Sequence, residues 1–164
     1  MKKINKILIE ISLVLKKKKL KLALAESITG GLISKKITDI PGASEWFDCG
    51  LITYTNASKN KILGIQENFI TEKGSVSKEI TERMANEVLK KSNAEVCLAI
   101  TGYAGPSGDN KINQVGKVYF CWASKRSNMI EERTFKGNRK TVRKKSAEHS
   151  LKGLLKFLKE NEIQ

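Results

Sequence analysis

The feature that most constrains this chain is a strand that turns directly into a helix near the N-terminus. Residues 20–25 are almost all apolar and predict a short buried strand, and apolar residues then recur at helical spacing through residues 29–38. The corner between them carries Ser27, followed by Gly30 and Gly31. Nearby amides and a helix N-terminus favour an anion in front of such a serine, and glycines leave room for a substrate. The corner suits either nucleophilic attack on a carbonyl or the binding of a phosphate.

The rest of the chain continues this alternation and then ends in a predicted hairpin and a long helix. Further helices are predicted at residues 3–18, 56–64, 77–91 and 139–159, and further strands at 50–55, 95–100, 118–123 and 130–135. Asn56 and Ser77 are the predicted N-caps of their helices, and Gly64 is a predicted C-terminal cap. This order predicts an α/β fold, a three-layer α/β/α sandwich with a mixed sheet, in one domain over residues 1–164.

The charge of the chain is strongly positive. Thirty-one basic and seventeen acidic residues give a formal net charge of +14. Such a balance favours acidic partners, whether nucleic acid, phosphorylated metabolites or anionic surfaces. Much of the excess is lysine at solvated positions such as residues 16–19, where it complements the dipole of the first helix. Charge alone is therefore weak support for a nucleic-acid surface.

The cysteines and the apolar runs indicate a cytoplasmic protein. Cys49, Cys97 and Cys121 are scattered through strand-like runs with no close pair, which is typical of packed free thiols in a reducing compartment. We expect neither a disulfide nor a metal site. The chain has no apolar run of membrane-spanning length and no signal-peptide pattern in its first twenty residues.

Histidine is almost absent, so any general base has to be of another kind. His149 is the single histidine and lies within the predicted last helix, which leaves little for a serine–histidine triad or a histidine metal site. We interpret it as a surface or half-buried helix residue. A lysine can replace histidine as the base when burial or neighbouring cations keep its amine neutral.

Two further segments follow strands, as Ser27 does, and a third opens the predicted last helix. Lys59 and Tyr54 lie where the second strand gives way to a helix, so the pair Ser27 and Lys59 could form a dyad, with Tyr54 relaying a proton or positioning the amine. Thr101 and Gly102 follow a buried strand and could contact a ligand. Arginines at the start of the last helix can bind a phosphate or a carboxylate with both arms of the guanidinium. A solvated lysine and an exposed arginine are the simpler interpretations of such residues in so basic a chain.

Together and in this order, these segments resemble the C-terminal domain of the competence/damage-inducible CinA proteins. The resemblance covers nearly the whole chain and rests on Ala25–Gly31, Thr38–Ser44, Gly50–Asn56 with Lys59, Thr101–Pro106, Val115–Val118 and Phe135–Arg139. Single-domain relatives act as nicotinamide-nucleotide amidases. The resemblance thus implies hydrolysis of the carboxamide of nicotinamide mononucleotide to nicotinic acid mononucleotide and ammonia, a reaction of NAD salvage.

The resemblance also implies roles for individual residues. Ser27 matches the nucleophile, Lys59 the base and Tyr54 a supporting catalytic residue. The implied substrate-binding set consists of Thr29, Gly30, Gly31, Thr101, Gly102, Arg139 and Arg143. We expect backbone amides near Gly30 and Gly31 to form the oxyanion hole and Arg139 to hold the ribose phosphate. The reaction needs no metal or organic cofactor. The family also implies a homo-oligomer with no membrane partner.

Four positions depart from the commoner family pattern. Asn138 stands where aspartate is frequent, Ile28 where a small residue or cysteine is usual, and Ser107 where aspartate usually follows the preceding proline. The loop at residues 108–114 lacks its customary proline. These departures bear on how the substrate is positioned more than on the nucleophile.

An alternative keeps the fold but makes it a non-catalytic binding module for nucleic acid or for a pyridine nucleotide. Binding to single strands needs a basic face interleaved with aromatic side chains. The chain has five Phe, three Tyr and two Trp, most of them in strand-like runs. The intact pair of Ser27 and Lys59 favours the enzyme instead.

Overall fold

The apolar runs of the chain form one mixed sheet of five strands. The computed structural model describes residues 2–106 and 114–163. The strands are β1 (Leu22–Glu26), β2 (Phe47–Ile52), β3 (Val96–Gly102), β4 (Lys117–Ser124) and β5 (Asn128–Thr134), in the spatial order β2-β1-β3-β4-β5. β1 pairs in parallel with β2 and β3, whereas β3–β4 and β4–β5 are antiparallel. The carboxyl ends of the three parallel strands therefore meet at one edge of the sheet.

Helices cover both faces of this sheet. They are α1 (Lys2–Lys18), α2 (Leu32–Thr38), α3 (Asn56–Leu63), α4 (Glu67–Lys73), α5 (Lys78–Lys91) and α6 (Arg139–Glu160), with a short 3₁₀ turn at Ala43–Glu45. Buried residues of α1, α2 and α6 pack on one face and those of α3, α4 and α5 on the other. β1 lies between the two layers and sends Leu22 and Leu24 to the first and Ala23 and Ala25 to the second. The predicted α/β/α sandwich is confirmed.

The second strand lies three residues earlier than the 50–55 predicted. Its start is fixed by Trp46, which is fully buried and whose carbonyl accepts a hydrogen bond from the Leu22 amide at 2.8 Å. Its pairing with β1 ends at Ile52 opposite Glu26. Because β2 is an edge strand, it tolerates polar residues such as Asp48, and this hides it from a search for apolar runs.

Two helix boundaries and one whole helix also differ from the prediction. Thr55, and not Asn56, is the N-cap of α3, and α2 begins at Leu32, three residues after the predicted start. The sequence pattern missed α4, which has only seven residues. The caps at Gly64 and Ser77 are confirmed.

The remaining predictions on side-chain environment agree with the structure. Cys97 and Cys121 are buried and Cys49 is half-buried. His149 is a half-buried residue of α6 whose Nε2 lies 3.0 Å from a carboxylate oxygen of Glu131. In the described ranges, no helix combines the length and the apolarity needed to cross a bilayer.

Candidate active site

Ser27 is held rigidly at the carboxyl edge of the sheet. It follows the last residue of β1, and its amide donates to the carbonyl of Ile100 on the neighbouring β3 at 3.0 Å. Its carbonyl accepts from the Gly30 amide at 3.1 Å, which closes a tight turn. Gly30 adopts a φ of 56°, in the left-handed region that a glycine enters at little cost. Ser27 itself is 6% exposed.

The N-terminus of α2 is already occupied by a carboxylate of the protein. Glu26 is fully buried, and its side-chain oxygens accept hydrogen bonds from the amides of Gly31, Ile33 and Ser34 and from the Ser34 hydroxyl, at 2.6 to 3.2 Å. These donors and the helix dipole compensate a buried charge that would otherwise be costly. The expectation that this helix N-terminus faces a ligand anion is therefore wrong.

The amides of Gly30 and Gly31 themselves are not available as oxyanion donors, for a related reason. The Gly30 amide donates to the Ser27 carbonyl, and the Gly31 amide donates to Glu26 at 3.0 Å. Both N–H groups therefore already donate hydrogen bonds within the corner. Hydrogen-bond donors that stabilise an oxyanion have to be free and directed at the reacting oxygen.

Lys59 reaches the serine because the start of α3 is firmly capped. The Thr55 hydroxyl accepts from the Ser58 amide at 3.1 Å, and the Ser58 hydroxyl accepts from the Thr55 amide at 3.0 Å, which is a capping box. This cap starts the helix at Asn56 and turns Lys59 inward together with Leu63, one turn later. Only 2% of Lys59 is exposed.

The two predicted catalytic side chains are in contact. Lys59 Nζ lies 3.3 Å from Ser27 Oγ and donates to the Thr53 carbonyl at 3.0 Å. No carboxylate pairs with Lys59 among the residues that the structure describes. Burial without a counter-ion disfavours the ammonium form and lowers the pKa of Lys59 to about 8. The amine is thus far closer to neutrality near pH 7 than an exposed lysine.

A cavity of about 290 Å³ opens in front of this pair. Its lining comes from the loops after all three parallel strands, from the segment before α5 and from the start of α6. It consists of Ser27, Ile28, Tyr54, Lys59, Ser75, Val76, Thr101, Gly102, Tyr103, Ala104, Gly105, Pro106 and Arg139. The volume is that of a small-molecule site.

Arg139 is fixed at the mouth of the cavity. Its Nη1 donates to the Gly105 carbonyl at 2.8 Å and its Nη2 donates to the Tyr54 hydroxyl. Tyr54 is half-exposed, and the described contacts of its hydroxyl do not include Lys59. The predicted proximity of Tyr54 to the lysine amine is therefore not found, and its hydroxyl orients the arginine instead.

The other predicted binding residues divide into two groups. Thr101 and Gly102 line the cavity, with the Thr101 hydroxyl donating to the Ser75 carbonyl at 3.1 Å. Thr29, Gly30, Gly31 and Arg143 are absent from the described lining. Ser107 and the loop at 108–113 lie outside the described residues.

Sequence reasoning missed two parts of the site. Ser75 and Val76 reach the cavity from the segment before α5, and nothing in their local pattern marks them. Glu26 was detectable, because a carboxylate that ends an otherwise apolar strand beside a serine needs a partner.

The fold and the cavity define a three-layer α/β protein with a small-molecule site at the carboxyl edge of its parallel strands. The family profile described as CinA C-terminal domain matches residues 4–158, and the chain belongs to this family.

Individual relatives agree with this assignment. The nicotinamide-nucleotide amidohydrolase PncC of Enterobacter agglomerans is 40% identical over 160 residues, which cover 96% of this chain and 98% of that protein. A CinA-like protein of Desulfotalea psychrophila is 42% identical over 87% of this chain, but the match spans only 34% of its own length. The crystal structure of the competence damage-inducible protein A of Klebsiella pneumoniae superposes with a TM-score of 0.93 at 24% identity, over 97% of this chain and 99% of that one, which shows a shared fold.

Proposed function

We propose that this chain is a nicotinamide-nucleotide amidohydrolase that uses Ser27 as nucleophile and Lys59 as base. The observation that carries the proposal is the 3.3 Å contact between Lys59 Nζ and Ser27 Oγ at the floor of the cavity. A buried lysine of lowered pKa beside a serine is a recognised substitute for histidine. The name of the Enterobacter agglomerans relative supports the choice of substrate.

Acylation begins with a proton transfer between the two side chains. Neutral Lys59 accepts the proton of the Ser27 hydroxyl while Oγ forms a bond to the amide carbon of the substrate. The amide oxygen takes up negative charge in the tetrahedral intermediate. Lys59 then returns the proton to the nitrogen, the carbon–nitrogen bond breaks, and ammonia leaves. The product of this half-reaction is an ester on Ser27 and a neutral lysine.

Hydrolysis of the ester repeats the sequence with water. Lys59 takes a proton from the water as its oxygen bonds to the ester carbon. The bond between that carbon and Ser27 Oγ then breaks, and the proton passes from Lys59 to the serine oxygen. One water is consumed and one carboxylic acid is formed, so both residues return to their starting state.

Ammonia release from a panel of purified aromatic carboxamides tests this function. We expect turnover of nicotinamide mononucleotide, weaker turnover of the phosphate-free riboside and no turnover of free benzamide. A panel in which no carboxamide releases ammonia would contradict the amidase. Salt-sensitive binding of DNA in the absence of ammonia release would instead support the binding module.

The pH dependence of the reaction follows from Lys59. Its pKa is lowered by burial to about 8, and only the neutral amine can accept the serine proton. We therefore expect kcat/KM to rise as the pH increases through about 8, well below the value of 10.5 for an ordinary lysine. Initial rates between about pH 6 and pH 9.5 measure this. A profile that stays flat or falls across this range contradicts a lysine base.

Arg139 is expected to bind the phosphate of the substrate. It stands exposed at the cavity mouth and is pre-oriented by its bonds to Gly105 and Tyr54. Because one charge-assisted interaction is lost, Arg139→Ala should raise KM for the mononucleotide about 10-fold or more and leave KM for the riboside unchanged. Lys140→Ala, an exposed neighbour on the same helix, is the matched control. An equal rise for both substrates would mean that another group binds the phosphate.

A further inference from the structure

Arg143 lies behind the serine corner and bonds to its backbone. From α6, its Nε donates to the carbonyl of Ile28 at 3.0 Å and its Nη2 donates to the carbonyl of Thr29 at 2.7 Å. The guanidinium is so close that a Cβ placed on Gly30 would lie 3.2 Å from Nη2. The bonded residues are more than one hundred positions apart in the chain, and the Arg143 side chain is half-buried. Arg143 therefore acts on the corner, and it is not part of the described cavity lining.

The two amides that follow Ser27 are the free donors of this corner. Within residues 2–106 and 114–163, the N–H groups of Ile28 and Thr29 have no hydrogen-bond acceptor. In a planar trans peptide the N–H points opposite to the carbonyl. Arg143 holds the Ile28 carbonyl and thereby turns the Thr29 N–H away from the guanidinium. The Ser27 carbonyl and the Ile28 N–H belong to one peptide group. Because the Gly30 amide bonds to this carbonyl, the Ile28 N–H points away from Gly30.

We propose, as an extension of the proposed amidase function, that the amides of Ile28 and Thr29 form the oxyanion hole and that Arg143 positions them. It positions the Thr29 amide directly, through the Ile28 carbonyl, and the Ile28 amide indirectly, through the Thr29–Gly30 peptide whose N–H bonds to the Ser27 carbonyl. Two successive free N–H groups in a tight turn can bind one anion between them. Ile28 lines the cavity and directly follows the nucleophile, a position that supplies an oxyanion donor in other serine hydrolases. Arg143 fixes two consecutive peptide groups at once, with two nitrogens of one planar guanidinium.

This role separates Arg143 from Arg139. A residue that positions oxyanion donors stabilises the transition state more than the bound substrate, so its loss lowers kcat. A residue that binds the phosphate contributes equally to both states, so its loss raises KM for the phosphorylated substrate alone. The mononucleotide and its phosphate-free riboside distinguish the two cases.

Steady-state ammonia release by Arg143→Met gives the first test. We expect kcat to fall about 100-fold for both the mononucleotide and the riboside, with KM changed less than about 3-fold. Lys144→Met removes the same charge from an exposed neighbour on α6. It should leave kcat and KM unchanged for both substrates. A rise in KM confined to the mononucleotide, or unchanged kcat in folded Arg143→Met, would overturn the positioning role.

Acylation of Ser27 by p-nitrophenyl acetate gives a second readout that does not need the natural substrate. Arg143→Lys keeps the charge and disturbs the fold less than methionine does, but it lacks the planar fork that places one nitrogen on each carbonyl. We therefore expect p-nitrophenolate release at least about 10-fold slower than in the wild type. Ser27→Ala supplies the blank. If the wild type is acylated but cleaves no nucleotide, the proposed substrate is refuted. Slower p-nitrophenolate release by Arg143→Lys would still support the positioning role in that case. Equal acylation rates in the wild type and Arg143→Lys, or no acylation of the wild type, would overturn it.

Discussion

Ser27→Ala is expected to release ammonia from nicotinamide mononucleotide at least about 1,000-fold more slowly than the wild type, because removal of a nucleophile leaves only the catalysis due to binding. The fold should be unaffected. The hydroxyl contacts Lys59 Nζ, and that amine keeps its bond to the Thr53 carbonyl when the hydroxyl is gone. We expect the free energy of unfolding to change by less than about 1 kcal/mol.

A matched serine controls for the substitution itself. Ser44 is exposed on the 3₁₀ turn, outside the cavity lining, so Ser44→Ala should retain full activity. Kinetics and thermal melting of both variants should be measured in parallel. Turnover by Ser27→Ala within about 10-fold of the wild type would remove this hydroxyl from the nucleophile role.

Substitution of Lys59 is expected to be as damaging as loss of the serine. Lys59→Met keeps most of the volume but removes the base, and Lys59→Arg keeps the charge but cannot give up its proton near neutral pH. We expect both variants to lose at least about 1,000-fold in kcat. Because serine and lysine act as one unit, the double variant Ser27→Ala with Lys59→Met should be no slower than either single variant.

Stability separates this catalytic role from a structural one. The amine is buried with no carboxylate partner in the described part of the chain, so its desolvation is a cost that methionine does not carry. Lys59→Met should thus be as stable as the wild type or more so, by denaturant unfolding. Lys61→Met, on the exposed side of the same helix, should keep full activity. An active Lys59→Met, or one inactive only because it is unfolded, would contradict the assignment.

Much of the fold could be predicted from residue patterns because it depends on local periodicity. The fully buried run of β1 and the amphipathic pattern of α5 specify their elements without reference to neighbours. β2 could not be placed in the same way, since its limits depend on where β1 offers partners and on the anchor at Trp46. α4 has seven residues, too short a segment for its periodicity to stand out.

The site shows the same division between local and long-range information. Ser27 and Lys59 could be predicted to lie close together because parallel strands bring their carboxyl ends to one edge, and the family resemblance then implied their roles. The free amides of Ile28 and Thr29 could not be predicted in this way. Whether an amide is free depends on the hydrogen-bond partners that the surrounding residues find in the folded structure. Glu26 takes the Gly31 amide, and Arg143 takes two carbonyls from more than one hundred residues away. Hydrogen-bond partners of this kind follow from tertiary structure.

Rapid acid quenching within the first turnover, followed by peptide mass analysis, tests the central claim most directly. With enzyme in excess over nicotinamide mononucleotide, the peptide that contains Ser27 should gain the mass of the nicotinate mononucleotide acyl group as ammonia is released. Lys59→Arg should show no such gain in the same time. Release of ammonia with the acyl group on a different residue, or with Ser27 unmodified at every quench time, would contradict the account.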